Sequence, residues 1–281
     1  MEPNALGYLE ERSVVPPLKW AGGKRWLVCR EEFRPPKFDR LIEPFLGSGA
    51  VFFYLRPERA VLSDLNQDLI NLYQSICTDH VKLSSLLRKH ARLHSTDYYY
   101  RVRASRPRSN LGAAARLLYL NRTCWNGLYR VNKQGEFNVP IGTKDAVLLS
   151  SDNFARVSEL LKNAELLSGD FAAPIRRAKK GDFIFADPPY TVAHKLNGFV
   201  KYNESIFSWH DQVRLRDELV AAAEKGAKFM LTNASHDSIL DLYRGFRIRP
   251  VSRIGVIAGL RKARGSFEEL LITNFDAKGE E

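Results

Sequence analysis

The strongest constraint on this chain is a short apolar segment that runs into a glycine turn and is followed by a second apolar segment ending in an acid. Phe38-Asp39-Arg40-Leu41-Ile42-Glu43 reads as a buried strand. It stops at Pro44-Phe45-Leu46-Gly47-Ser48-Gly49, and Ala50 to Leu55 opens a helix. Ala60-Val61-Leu62 is a second strand, ending at Ser63-Asp64. Strand, turn, helix and strand in this order begin an alternating α/β sheet. The same rhythm returns late in the chain. Leu166-Leu167-Ser168 ends at Gly169-Asp170-Phe171, and Asp182-Phe183-Ile184-Phe185-Ala186 runs into Asp187-Pro188-Pro189-Tyr190. Lys228-Phe229-Met230-Leu231-Thr232 follows a helix over Trp209–Glu224, which Ser208 and Asp211 cap as a box. Two late strands are expected over 246–256 and 267–274. Residues 191–207 show no period and read as a mobile loop.

The middle block breaks this rhythm. Leu69, Ile70, Leu72, Tyr73 and Ile76 recur at helical spacing, and further helical patterns cover 80–92, 95–105 and 112–121. Gly127 to Val139 then reads as a β-hairpin turning at Asn132–Gly135. The expected organisation is a doubly wound, Rossmann-like sheet formed by residues 1–65 and 151–281. A helical domain bearing the hairpin is inserted at 66–150.

Charge separates the two parts. The formal net charge is +11. From Lys82 to Lys133 there are twelve basic residues and one acid, Asp97, so this window carries all of it. A concentrated positive window points to a polyanion, most often nucleic acid, although a solvated basic face has the same composition. At 44% hydrophobic residues the chain is too apolar to be disordered. Its apolar runs fall short of the roughly 18–20 residues of a membrane span, so no membrane partner is expected. Met1 to Arg12 lacks a signal pattern. Cys29, Cys77 and Cys124 are too far apart for a metal pair and too few for a disulfide framework, which fits a reducing cytoplasm.

In open α/β sheets, ligands gather at the carboxyl ends of the strands. Gly47-Ser48-Gly49, Asp64, Asp170 and Asp187–Tyr190 all stand at such ends. Gly47 and Gly49 let the backbone approach a ligand closely. Asp64 can accept two hydrogen bonds from ribose hydroxyls, which suits an adenosine-type cofactor. A dinucleotide site is the rival, but Phe52 stands where its third glycine belongs.

Asp187-Pro188-Pro189-Tyr190 is the more specific motif. Its prolines remove two donors and stiffen the turn. The Asp187 carboxylate and the Pro188 carbonyl present two acceptors, and Tyr190 adds a flat face. That set matches an exocyclic amino group on a planar base. The amino lone pair is delocalised into the ring, and two hydrogen bonds localise it for attack on a sulfonium methyl. Positioning and electrostatics then supply most of the acceleration. The chemistry requires no metal, and no His/Cys cluster is present to bind one. A base inside a duplex must be extruded to be reached. Trp125, Asn126 and Leu128 are candidates to prop the gap.

These residues resemble the Dam family of DNA adenine-N6 methyltransferases, the D12 class. The resemblance covers almost the whole chain. It rests on Pro17-Leu18-Lys19-Trp20-Ala21-Gly22-Gly23-Lys24, Glu43–Gly49, Asp64-Leu65-Asn66, Asn121–Arg130 with Gly135–Pro140, and the Asp187 motif. It implies S-adenosylmethionine as methyl donor, S-adenosylhomocysteine as product, and a seven-stranded methyltransferase sheet with an inserted target-recognition domain. Trp20, Lys24, Phe45, Gly47, Ser48 and Gly49 would line the cofactor site. Asp64 would hold the ribose, and Asp170 with Phe171 would sit by the cofactor's adenine. Asp187, Pro188, Pro189 and Tyr190 would be catalytic. On the DNA side stand Lys19, Arg122, Trp125, Asn126, Leu128 and Arg130. Arg130 matches a guanine-reading arginine, and Trp125 an aromatic that inserts into the stack. The partner would be double-stranded DNA, the site GATC, the acting unit a monomer, and the setting a bacterial or phage cytoplasm. Ile141-Gly142-Thr143-Lys144-Asp145-Ala146 departs from relatives with a GATC preference, which tend to be basic and aromatic there. Methylation of another amino group, in RNA or protein, and a DNA-binding protein without catalysis are the competing functions.

Overall fold

The computed structural model describes residues 14–132, 134–193, 207–254 and 266–276. The expectations for Met1–Arg12 and for 194–206 within the loop lie outside the described residues. In chain order the elements are α1 (Arg25–Val28), β1 (Arg40–Glu43), α2 (Ala50–Leu55), β2 (Ala60–Asp64), α3 (Gln67–Leu93), α4 (Thr96–Ala104) and α5 (Asn110–Thr123). A 3-10 turn at Trp125–Gly127 follows. Then come α6 (Phe154–Leu161), β3 (Ala164–Ser168), α7 (Ala172–Arg176), β4 (Asp182–Ala186), α8 (Trp209–Glu224), β5 (Lys228–Ala234), α9 (Asp237–Leu242), β6 (Arg247–Ile254) and β7 (Ser266–Thr273).

The strands form one seven-stranded sheet in the order β3-β2-β1-β4-β5-β7-β6. β1 pairs in parallel with β2 and β4, and β4 with β5. β7 runs antiparallel to both β5 and β6. Ile42 lies opposite Val61 on one side and Ile184 on the other. Leu41, Ile42, Phe183, Ile184, Phe229, Met230 and Leu231 are wholly buried, as expected of parallel strands covered on both faces. Strand order reverses between β1 and β4, so their carboxyl ends form the topological switch point.

The chain divides into two compact units. One comprises Met1–Val28, Gly47–Arg56 and Asp64–Ser168, the other Cys29–Leu46, Pro57–Ser63 and Gly169–Glu281. In the first unit α3 packs on α5 and α6. Leu69, Leu72, Tyr73, Ile76, Leu83 and Leu87 of α3 are fully buried, as are Tyr99, Leu118 and Tyr119. The helical breaks follow side-chain capping. Asp79 leaves helical geometry (φ −158°, ψ 74°) inside α3, and its Oδ1 accepts from the Lys82 N–H at 2.8 Å. Ser95 and Ser109 cap α4 and α5, accepting from the Tyr98 and Gly112 N–H groups at 3.2 and 3.1 Å. Ser208 and Asp211 form the expected capping box. The helices α6, α7 and α9 add to the sequence reading, and the latter two have five or six residues, too few to show a period.

The hairpin is narrow. Among the described residues one bridge joins Val131 to Phe137. Asn132 N–H donates to the Glu136 carbonyl at 2.8 Å, and Asn138 N–H to the Arg130 carbonyl at 3.1 Å. The Asn132 side chain organises the tip by accepting from the Gln134 and Glu136 N–H groups at 3.0 and 2.9 Å. Gly135 takes the left-handed φ of 76° that closes the turn.

Candidate active site

In the first unit the glycine turn is pinned from two sides. Asp64 Oδ2 accepts from the Gly47 N–H and Oδ1 from the Asn66 N–H, both at 2.9 Å. Burial pushes the Asp64 carboxyl above its ordinary range, against the downward pull of these two bonds. Gly47 has φ +50°, and a Cβ there would stand 2.9 Å from Cδ1 of the Trp20 indole. Trp20 in turn stacks on Tyr129, with centroids 5.1 Å apart and planes at 30°. Tyr129 donates to Asp68 at 3.2 Å, and burial raises its phenol to about 12. Lys24 is buried, with Nζ donating to the Gly22 carbonyl at 2.9 Å. The Ser48 hydroxyl stands 3.3 Å from where a Cβ on Gly23 would be. Gly49 caps α2 at φ 67°. The structure therefore brings Trp20, Gly47 and Asp64 together, and Ser48 against the Gly22–Lys24 segment.

In the second unit Phe45, Phe171 and Phe207 form an aromatic cluster. Phe45 and Phe171 are stacked, with centroids 5.4 Å apart, and Phe207 meets each at 5.6 Å. The Arg214 guanidinium lies over the Phe171 ring at 4.3 Å and grips both Asp170 oxygens at 2.8 and 2.7 Å. That grip holds the Asp170 carboxyl below its ordinary range.

Asp187 follows β4 directly. Its Oδ1 accepts from the Thr232 hydroxyl of β5 at 2.7 Å. The Tyr190 hydroxyl donates to Glu269 of β7 at 2.6 Å. Burial, with the Asp187 and Glu269 carboxylates close by, keeps the Tyr190 phenol well above its ordinary range, so it remains a donor. Behind the turn, Thr191 donates to the Phe207 carbonyl at 2.6 Å. Buried Gln212 donates to the Thr191 carbonyl at 3.2 Å and accepts from Asn233 at 3.0 Å.

The expected DNA-side residues all lie in the first unit. Asn121, fully buried, clamps two of their segments. It accepts from the Lys19 N–H at 3.0 Å and donates to the Lys19 and Gly127 carbonyls at 2.9 and 3.1 Å. The nearby Lys144 side chain holds the Lys19 ammonium below the ordinary lysine range. Trp125 is 53% exposed, and Asn126 has a left-handed φ of 55°. Leu128 is half-buried. Arg130 is exposed, with Nε donating to Asn138 Oδ1 at 2.8 Å.

Arg122 departs from the expectation. It is buried, and its two terminal nitrogens donate to both Asp152 oxygens at 2.6 and 2.7 Å and to the Pro17 and Val147 carbonyls at 2.7 Å. A guanidinium committed in this way ties three chain segments together and does not present itself to a phosphate. Arg116 is also turned inward, onto the Val102 and Arg103 carbonyls at the end of α4, where a cation is favoured. Lys82, Arg88, Lys89, Arg92, Arg101, Arg106 and Arg108 remain exposed.

Sequence reading missed the residues that hold the site: Thr232, Glu269, Arg214, Asn121 and Tyr129. Asn121 and Tyr129 lie within the Asn121–Arg130 motif, Thr232 directly follows the apolar run Phe229–Leu231, and Glu269 directly precedes the apolar run Leu270–Ile272.

A seven-stranded sheet with one antiparallel strand inserted next to the edge defines this chain as a Rossmann-like protein of the methyltransferase type. Residues 20–257 match the family model of D12 class N6 adenine-specific DNA methyltransferases. The type II methyltransferase M1.LlaDCHI of Lactococcus lactis subsp. cremoris is 37% identical over 273 residues, covering 94% of this chain and 96% of that protein. The type II methyltransferase M.MjaIII of Methanocaldococcus jannaschii is 36% identical, covering 93% and 99%. The DNA adenine methylase of Escherichia coli strain K12 is 29% identical, covering 90% and 93%. The chain belongs to the D12 class of N6 adenine-specific DNA methyltransferases. That membership implies S-adenosylmethionine as methyl donor and DNA as substrate. Among the described residues no helix is long and apolar enough to cross a membrane.

Proposed function

We propose that this chain methylates adenine N6 in double-stranded DNA at one short site, GATC, by drawing the target base out of the duplex. The observation that carries this reading is the Asp187–Tyr190 turn at the end of β4, beside the strand-order switch, with Asp187 held by Thr232 and Tyr190 by Glu269. We assign residues 1–65 and 151–281 to catalysis and 66–150 to target recognition, and take the monomer as the acting unit.

The residues fit an adenosine-type sulfonium cofactor. Gly47 lets the Trp20 indole pack where a Cβ would clash, and each Asp64 oxygen keeps a second lone pair beyond the bond it accepts. Asp64 would take the ribose. Trp20, Lys24, Phe45, Gly47, Ser48 and Gly49 would line the site, with Asp170 and Phe171 by the adenine. When bound, the cofactor supplies a methyl group on a positively charged sulfur.

Asp187 and the Pro188 carbonyl accept from the two N–H groups of the target amine and turn its lone pair toward that methyl. The Tyr190 face supports the extruded base. Asp187 takes the amine proton as the new C–N bond forms, when that proton has become acidic. Extrusion costs a few kcal/mol, and Trp125, Asn126 and Leu128 would fill the gap. Lys19 and Arg130 would read the two ends of the site. The exposed cations of α3 and α4 would contact phosphates, giving affinity without sequence choice.

The test supplies labelled S-adenosylmethionine with duplex DNA containing GATC, duplex DNA lacking it, duplex RNA, and bulk protein. Transfer to the GATC duplex alone is expected. Transfer only to other DNA would keep the enzyme and reject the site, and transfer only to RNA or protein would reject the proposal.

A further inference from the structure

The side chains behind the Asp187–Tyr190 turn come from two strands that the sequence reading left without a role. β5 and β7 are antiparallel, with Thr232 opposite Leu271 and Ala234 opposite Glu269. Residues opposite one another share a face, and alternate residues along a strand do too. Thr232 and Glu269 therefore stand on one face of the β5–β7 pair, a single diagonal apart. Both are nearly sealed from solvent, at 2% and 7% exposure. Each reaches a different end of the motif. The Thr232 hydroxyl donates to Asp187 Oδ1 at 2.7 Å, and Glu269 Oε2 accepts from the Tyr190 hydroxyl at 2.6 Å.

A carboxylate is costly to place in a strand whose neighbours are Leu270, Leu271 and Ile272, all buried. A leucine would pack there at less cost. The glutamate offers an acceptor that reaches the tyrosine hydroxyl. Backbone stiffening by Pro188 and Pro189 fixes where the motif's Cα atoms lie, but it leaves two torsions of Tyr190 and two of Asp187 undetermined. The Tyr190 hydroxyl oxygen lies on the Cβ–Cγ axis, so tying it down fixes the Cα–Cβ torsion; because a phenolic O–H prefers the plane of its ring, the direction of its bond to Glu269 also orients that plane. A hydroxyl bond to one carboxylate oxygen likewise restrains the plane of Asp187.

We propose that Glu269 and Thr232 are positioning residues for methyl transfer: Glu269 sets the plane of the Tyr190 ring that stacks on the target base, and Thr232 sets the plane of the Asp187 carboxylate that receives its amino group. The assignment rests on the base-extrusion reading above. Neither residue touches the reacting atoms. Each acts through the side chain it holds.

The test measures kcat, the KM for S-adenosylmethionine, and the fluorescence of 2-aminopurine substituted for the methylated adenine. Glu269→Ala is expected to lower kcat by about 10²-fold with KM unchanged, the size of effect that a small misplacement produces. Glu269→Gln keeps an acceptor oxygen and is expected to recover most of that loss. Thr232→Val keeps the shape and is expected to lower kcat by about tenfold, the worth of one hydrogen bond of ordinary strength. Tyr190→Phe breaks the first bond from its other end while leaving the glutamate in place, so it tests the pair even if Glu269→Ala folds poorly. The Glu269→Ala/Tyr190→Phe double variant is expected to be no worse than the poorer single one. Unchanged kcat in Glu269→Ala, additive losses in the double variant, or a KM effect without a kcat effect would each overturn the assignment. A fluorescence rise on binding in the wild type, with unaffected variants, rejects only the positioning roles. Methyl transfer with no rise in the wild type rejects base extrusion and the assignment with it.

Discussion

The two turns that follow β1 and β4 are held in opposite ways. After β1, the chain pins its own backbone: the Gly47 and Asn66 N–H groups both donate to the Asp64 carboxylate, and the Trp20 indole closes over Gly47. After β4, prolines stiffen the backbone and the pins act on side chains, Thr232 on Asp187 and Glu269 on Tyr190. The difference follows from the role proposed for each turn. A turn that lets a ligand approach its backbone must lack side chains and be fixed through peptide groups. A turn that works through a carboxylate and a ring must have those groups oriented.

Four substitutions would break or sharpen this contrast. Asp187→Ala has the largest expected effect. Methyl transfer should fall by about 10⁴-fold, the upper range for loss of a proton acceptor, while duplex binding and cofactor affinity persist. A single-turnover assay beside a binding titration checks it, and a largely active variant would remove Asp187 from the chemistry. Arg122→Ala comes next and acts on folding. The pair it forms is nearly sealed, with side chains 4% and 10% exposed, so losing one partner should cost about 3–5 kcal/mol of stability. Urea denaturation measures this, and the salt dependence of DNA binding by the folded variant should not change.

Gly47→Ala should cost about 1–3 kcal/mol, the strain of a non-glycine residue at positive φ, and should raise the KM for S-adenosylmethionine more than it lowers kcat. The reverse split would show that the turn after β1 serves the reaction rather than binding. Arg130→Ala should cost about 1–3 kcal/mol of discrimination, confined to one base pair. Equal weakening on every sequence would make Arg130 a phosphate contact.

Arg122 and Arg130 also show where sequence reading stops. They stand eight residues apart in one basic window, and nothing local tells them apart. One is buried among Pro17, Val147 and Asp152, distant in the chain, and the other leans outward on Asn138. Burial depends on segments more than a hundred residues away, such as Pro17, so no window around Arg122 contains the answer. The narrowness of the hairpin is similar, since it depends on how few backbone bonds form around the Asn132 tip.

The sequence by itself determined the sheet, the strand-end motifs and the family. Those features are written in short-range patterns: apolar runs of strand length, glycines where φ turns positive, two prolines after a strand, and serines at helix starts. The capping box at Ser208 and the break before residue 80 were legible for the same reason. Tertiary structure alone decided which cations face outward and which side chains hold the motif residues in place. Thr232 and Glu269 lie 45 and 79 residues from their partners in the chain, and only the β5–β7 register brings them behind one turn. A hydrogen bond falls off within an ångström, so a partner of that kind is fixed by packing and cannot be read from spacing.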